Sequence, residues 1–120
     1  QKKIEVEGAV LIGRHCQIED GVRLVDCCID NFTRIGKNAI VENSAVMDRA
    51  IIGEEAEVLE SIVGRHVAVN SSQKNPTKLN AVSVVADDVT LEEGCVLVSS
   101  KVYPHQRVRG VFQNQTLISN

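Results

Sequence analysis

The chain is poor in aromatic side chains: 120 residues contain no Trp, and only Phe32, Phe112 and Tyr103 carry a large ring. A core must therefore come from Ile, Val, Leu, Ala and Cys, within an apolar share of 43%. No run approaches the roughly 18 apolar residues of a membrane span. No charged and apolar leader of the secretory type opens the chain, so the expected compartment is the cytoplasm. The net charge of −3 comes from interspersed signs, which leaves no basic stripe for nucleic acid. The four cysteines form no C-x-x-C pair, and neither a zinc site nor a redox pair is expected from them.

What is abundant is a short period. An aliphatic residue returns every six positions at Val6, Ile12, Ile18 and Leu24, and after a five-residue step at Ile29, Ile35, Val41 and Met47. Further five-residue steps lead to Ile52 and Val58, then Val63 and Val69. Beyond an interruption the register resumes at Val85, Leu91 and Leu97, then Val102 and Val108. So short and regular a period marks a repeat architecture of one domain. It fits neither the 3.6-residue period of an amphipathic helix nor unbroken alternation.

Short extended segments joined by corners do fit. Side chains alternate along extended chain, so each leader shares its side with the residue two before it. Read as the fourth residue after each leader, that inward slot holds Cys16, Val22, Cys28, Thr33, Ala39, Ala45, Ala56, Val67, Val89 and Cys95. Cys16, Cys28 and Cys95 are then buried structural thiols, with Cys27 facing outward. Lys37 and Glu54 also read as outward. Gly and Asn near each bend suit the backbone angles of corners.

This pattern resembles the hexapeptide-repeat, left-handed parallel β-helix family, in which three hexads close one triangular coil. The resemblance implies an all-β fold over residues 1–120, of about six coils, with a polar loop extruded at about 70–83 and helix confined at most to a short segment after Gly110. Within the family, the stretches Val41–Glu54, Leu59–Val67 and Gly94–Gly110 resemble the C-terminal domain of sugar-1-phosphate nucleotidyltransferases, of the mannose-1-phosphate guanylyltransferase and glucose-1-phosphate thymidylyltransferase type. That likeness implies an oligomerisation and regulatory domain for nucleotide-sugar synthesis, partnered by its own N-terminal catalytic domain and by further copies as a dimer or trimer. Mg²⁺ and a nucleoside triphosphate are implied for the catalytic domain. This chain has no Gly-x-Gly-x-x-x-Arg phosphate loop and no strand-loop-helix unit to hold it, so it should not transfer nucleotides alone. It opens at Gln1 almost directly in the repeat, the expectation for a fragment of a larger enzyme.

The alternative is a coenzyme A-dependent acyltransferase domain, since hexapeptide acyltransferases use a histidine as general base. His66 and His105 are the candidates, and the loop with Lys74 and Lys78 is a candidate cover from a second chain. His15 and His66 sit in matching hexads, on one face about three coils apart, which at about 4.8 Å per coil is too far to share a ligand. Hexapeptide carbonic anhydrases hold zinc partly through two histidines five positions apart, a spacing absent here. Corner residues are therefore the expected role of all three histidines, with no catalytic, cofactor-binding or metal-binding residue expected.

Overall fold

The computed structural model describes residues 3–118. Within them the chain makes twenty strands of two or three residues and no helix. All pair in parallel, in three sheets of seven, seven and six strands. The first face is built by Glu5–Glu7, Arg23–Val25, Ile40–Glu42, Glu57–Leu59, Lys78–Asn80, Val96–Val98 and Val111–Gln113. The second holds Leu11–Ile12, Cys28–Ile29, Ala45–Val46, Ile62–Val63, Val84–Val85, Lys101–Val102 and Thr116–Leu117. The third holds Gln17–Ile18, Arg34–Ile35, Ile51–Ile52, Ala68–Val69, Thr90–Leu91 and Arg107–Val108. One strand from each face makes a coil, and the coils stack into a prism 44 × 27 × 21 Å.

Register follows the leaders. Leu24 pairs with Val41 and Val41 with Val58 on the first face, while Ile35 pairs with Ile52 and Ile52 with Val69 on the third. Each row is a column of aliphatic side chains down the interior, and Leu24, Ile35, Ile52, Leu79, Leu91 and Leu97 are almost wholly buried. Lys37 and Glu54 lie exposed on corners, as their phase predicts.

Three sequence expectations need correction. The corner between the first and second faces usually spans five residues, so the inward slot there is the third residue after the leader and not the fourth. Cys27 is therefore buried and Cys28 exposed, Ser44 takes the slot expected for Ala45, and Val46 is the leader in place of Met47. The extruded segment is also shorter than expected: Thr77 is buried in the slot and Lys78–Asn80 is already a strand, with Leu79 as an unrecognised leader. With Phe112 and Leu117 packed against the core as leaders of a last coil, the prism has seven coils where about six were expected; Val111–Gln113 and Thr116–Leu117 are strands, within the expected limit on helix.

At the tight corner the slot becomes a ladder of buried serines. The amide of Ser61 donates to Ser44 Oγ at 3.0 Å, that of Ser83 to Ser61 Oγ at 3.3 Å, and that of Ser100 to Ser83 Oγ at 3.2 Å. Each Oγ in turn donates to a carbonyl two or three residues earlier, as Ser61 Oγ does to Leu59 at 2.8 Å. The row thus supplies an acceptor to amides that the tight turn keeps from any strand. Replacing Ser61 by Ala leaves the Ser83 amide buried without its partner, and the urea midpoint is expected to fall by the equivalent of about 1–3 kcal/mol. A change within the error of the measurement would show that the ladder bonds contribute nothing net.

Glycine serves closeness more than angle at two corners. Gly36 and Gly53 have no positive φ, but a Cβ on Gly36 would lie 2.6 Å from the Glu54 amide nitrogen, and one on Gly53 would lie 2.7 Å from that of Ser71. Both lack a side chain because the next coil passes there.

Candidate functional site

The corner between the second and third faces carries the histidines. Its third residue adopts positive φ in each of the first six coils: His15 (58°), Phe32 (60°), Arg49 (59°), His66 (56°), Asp88 (59°) and His105 (63°). From Phe32 upward each amide in the column donates to a carbonyl one coil below, as Arg49 does to Asn31 at 3.0 Å, His66 to Asp48 at 3.2 Å, and His105 to Asp87 at 3.2 Å. The six side chains are therefore held one above another along one edge.

They interact as a stack. The His15 and Phe32 rings lie 5.3 Å apart and nearly parallel, and the Arg49 guanidinium sits 5.0 Å over the Phe32 ring. Asp48, beside this column, binds Arg49 at 2.7 Å and Arg65 at 2.8 Å. Burial opposes its charge, yet the two guanidiniums hold the Asp48 carboxyl below the usual carboxylate range. Higher up, His66 Nδ1 is 3.4 Å from Asp88 Oδ1, and His105 Nδ1 is 3.7 Å from Asp88 Oδ2.

His15 and His66 share an edge three coils apart, as the repeat predicts. What the sequence did not show is that His66 and His105 flank one carboxylate. The spacing from Asp88 to His105 is the common coil length of seventeen, but His66 to Asp88 spans twenty-two, because four residues are added in the loop and one at Ala81–Val82. Counting coils with those additions would have revealed it.

Chemically, a carboxylate beside Nδ1 leaves Nε2 of either histidine for an acceptor proton, the orientation a general base needs. The distances are long for hydrogen bonds, and the three side chains are 43–75% exposed. The loop does not cover them from the same chain. It leaves at the other end of the third face, where Thr77 ties it down: its amide donates to Ser71 Oγ at 3.0 Å and its Oγ accepts from the Gly94 amide at 3.1 Å. Asn70, Ser71 and Asn75 line an open polar groove there with Glu92 and Arg109. Lys78 lies beyond the loop, 4.0 Å from Glu57. Among the described residues, no group of three His, Cys, Asp or Glu side chains is placed to hold a metal ion.

Residues 1–118 match the family described as GMPPB C-terminal domain. The chain belongs to that family. The stacked coils are the hexapeptide-repeat, left-handed β-helix of that family. No curated protein matches the sequence. Among solved structures, PerB from Caulobacter crescentus, seen with CoA and GDP-perosamine, is 10% identical with a TM-score of 0.72, over 90% of this chain and 52% of its own. The acetyltransferase domain of PglB from Neisseria gonorrhoeae is 14% identical with a TM-score of 0.70, over 78% of this chain and 45% of its own. A hexapeptide transferase family protein from Anaplasma phagocytophilum is 14% identical with a TM-score of 0.67, over 93% of this chain and 70% of its own. The chain thus spans about half the length of the first two. At such identities the likeness shows the fold alone.

Proposed function

We propose that the chain is the oligomerisation and regulatory β-helix of a sugar-1-phosphate nucleotidyltransferase, acting in nucleotide-sugar synthesis in the cytoplasm and not catalytic by itself. The observation that carries this reading is the family match over residues 1–118. The geometry supports it: the interior is filled by stacked aliphatic rows and the candidate histidines stand exposed on an edge. The parent's N-terminal domain would supply the phosphate loop, Mg²⁺ ligands and nucleoside triphosphate site. The β-helix would join catalytic domains into a dimer or trimer.

Acyl transfer is the second reading, favoured by one observation, the placement of Asp88 against His66 and His105. Thiol release from acetyl-coenzyme A, with amino sugars and sugar phosphates as acceptors, separates the two. No turnover is expected from the native chain. A turnover abolished by His66→Ala or His105→Ala would promote acyl transfer and displace the assembly reading.

A further inference from the structure

The three outer faces differ in charge. On the first face the outward residue before each leader includes Glu5, Arg23, Glu57 and Lys78, and on the third it includes Arg34 and Arg107. On the second face that column reads Leu11, Cys28, Ala45, Ile62 and Val84 over five successive coils before the first charge, Lys101. Leu11 is 70% exposed, and Cys28 and Ile62 are also open to solvent.

A strained residue extends this stripe. Val82 has φ of 64° and is 64% exposed. A β-branched side chain in the left-handed region is a true outlier, and such strain gathers where function requires it. The extra residue in the fifth coil's tight corner places this isopropyl group at the rim of the second face, lining one hollow with Ile62, Cys28 and Ala45.

We infer that the second face is the surface on which a second copy of this chain docks, with the two prisms antiparallel and the dyad at Ile62. This rests on the assembly reading above and names its interface. Ile62 lies in the fourth of seven coils, so a dyad there gives full overlap. Seven strands about 4.8 Å apart make the face about 30 Å tall, and about 20 Å of width fits transverse extents of 27 and 21 Å. Two such faces together cover about 1,200 Å², the lower bound of a specific interface.

Charge selects the antiparallel arrangement. A dyad along the strand direction sets coil six on coil two, so Lys101 faces Cys28 of the second copy between the exposed Asp26 and Asp30 of the same coil. Ala45 then meets Val84, and Ile62 meets itself, with Glu60 of each copy at the solvated rim as the one like-charge pair. Parallel prisms would instead set Lys101 on Lys101 and Asp26 on Asp30, repulsions that cost specificity and affinity.

The test uses the 120-residue chain. Light scattering should show a dimer, and Ile62→Asp should weaken it at least tenfold, while Ile51→Asp, on the outer side of the third face, should not. A native-like far-ultraviolet circular dichroism spectrum and a cooperative thermal transition would confirm that both variants fold, with the Ile62→Asp midpoint lowered only as far as loss of the partner requires. Under mild oxidation Lys101→Cys should form a disulfide-linked dimer through the native Cys28, lost in the Cys28→Ser, Lys101→Cys double variant. A double variant that still cross-links to itself would overturn the antiparallel arrangement. A dimer insensitive to Ile62→Asp would move the interface to another face while leaving assembly intact. A wild-type monomer throughout the micromolar range would remove assembly itself from this chain.

Discussion

Ile52→Asp is expected to remove several kcal/mol of stability, enough to unfold a domain of ordinary stability. Ile52 is 1% exposed and stands in the third-face row between Ile35 and Val69. A carboxylate there must either remain charged without a partner or take up a proton, and both cost free energy. A solenoid makes the loss worse, because each coil is stabilised only by its neighbours and a failed central coil uncouples the two halves. Ile35→Asp should behave alike. Lys37→Ala and Glu54→Ala, at exposed corners, should shift the urea midpoint by the equivalent of less than about 0.5 kcal/mol. Equal damage from both classes would show that the inside-outside phase of the coils is wrong.

Stability should also fall steeply in alkali. Burial pushes the Cys27 thiol up to about 11, with the neighbouring Cys28 thiol adding to the shift, and burial alone pushes Cys95 up to about 11. An unfolded thiol titrates near 9.0, so between about pH 9 and pH 11 the unfolded chain releases protons that the folded chain retains. The contribution is whole below pH 9 and lost as pH rises toward 11. At 1.36 kcal/mol per unit, each thiol accounts for on the order of 2–3 kcal/mol. The check is the pH dependence of the urea midpoint for the native chain against the Cys27→Ser, Cys95→Ala variant. The variant should lose much less between pH 9 and pH 11. Cys27→Ser should itself be tolerated, since it continues downward the row that Ser44, Ser61, Ser83 and Ser100 occupy. Parallel curves for the two proteins would refute the assignment to these thiols.

The coil pattern was legible because the interior admits only aliphatic leaders, and those recur whatever occupies the corners. Phase was lost where corner length changed. Between Leu24 and Ile29 the slot counted four places on falls on Cys28, whereas the rule that a leader shares its side with the residue two before it selects Cys27, which is the buried one. The same rule selects Ser44, Ser61, Ser83 and Ser100, polar residues that hydrophobic counting passes over. They are buried because each finds partners in the chain. Leu79 was missed because the loop before it breaks the six-residue count, and Asp88 was missed with it. His66 and His105 were singled out by residue type alone. Sequence holds no sign that they share a carboxylate until the loop and the extra corner residue are subtracted.

The serine row has a direction. Every Oγ accepts from an amide of the coil above and has a carbonyl of its own coil to donate to, so the accepted bonds climb one way from Ser44 to the Gln115 amide. Coils of the Val41-to-Val58 kind repeat after seventeen residues in every column at once, core, ladder and corner alike. A duplicated segment of that length meets its copies in phase wherever it begins, and lengthens the prism by one rung of about 4.8 Å. Added length elsewhere must be thrown outward, as at residues 70–77, or absorbed by a distorted corner, as at Val82. The prism is thus a ruler with fixed divisions, and the spacing it sets between whatever is attached to its two ends changes in whole rungs.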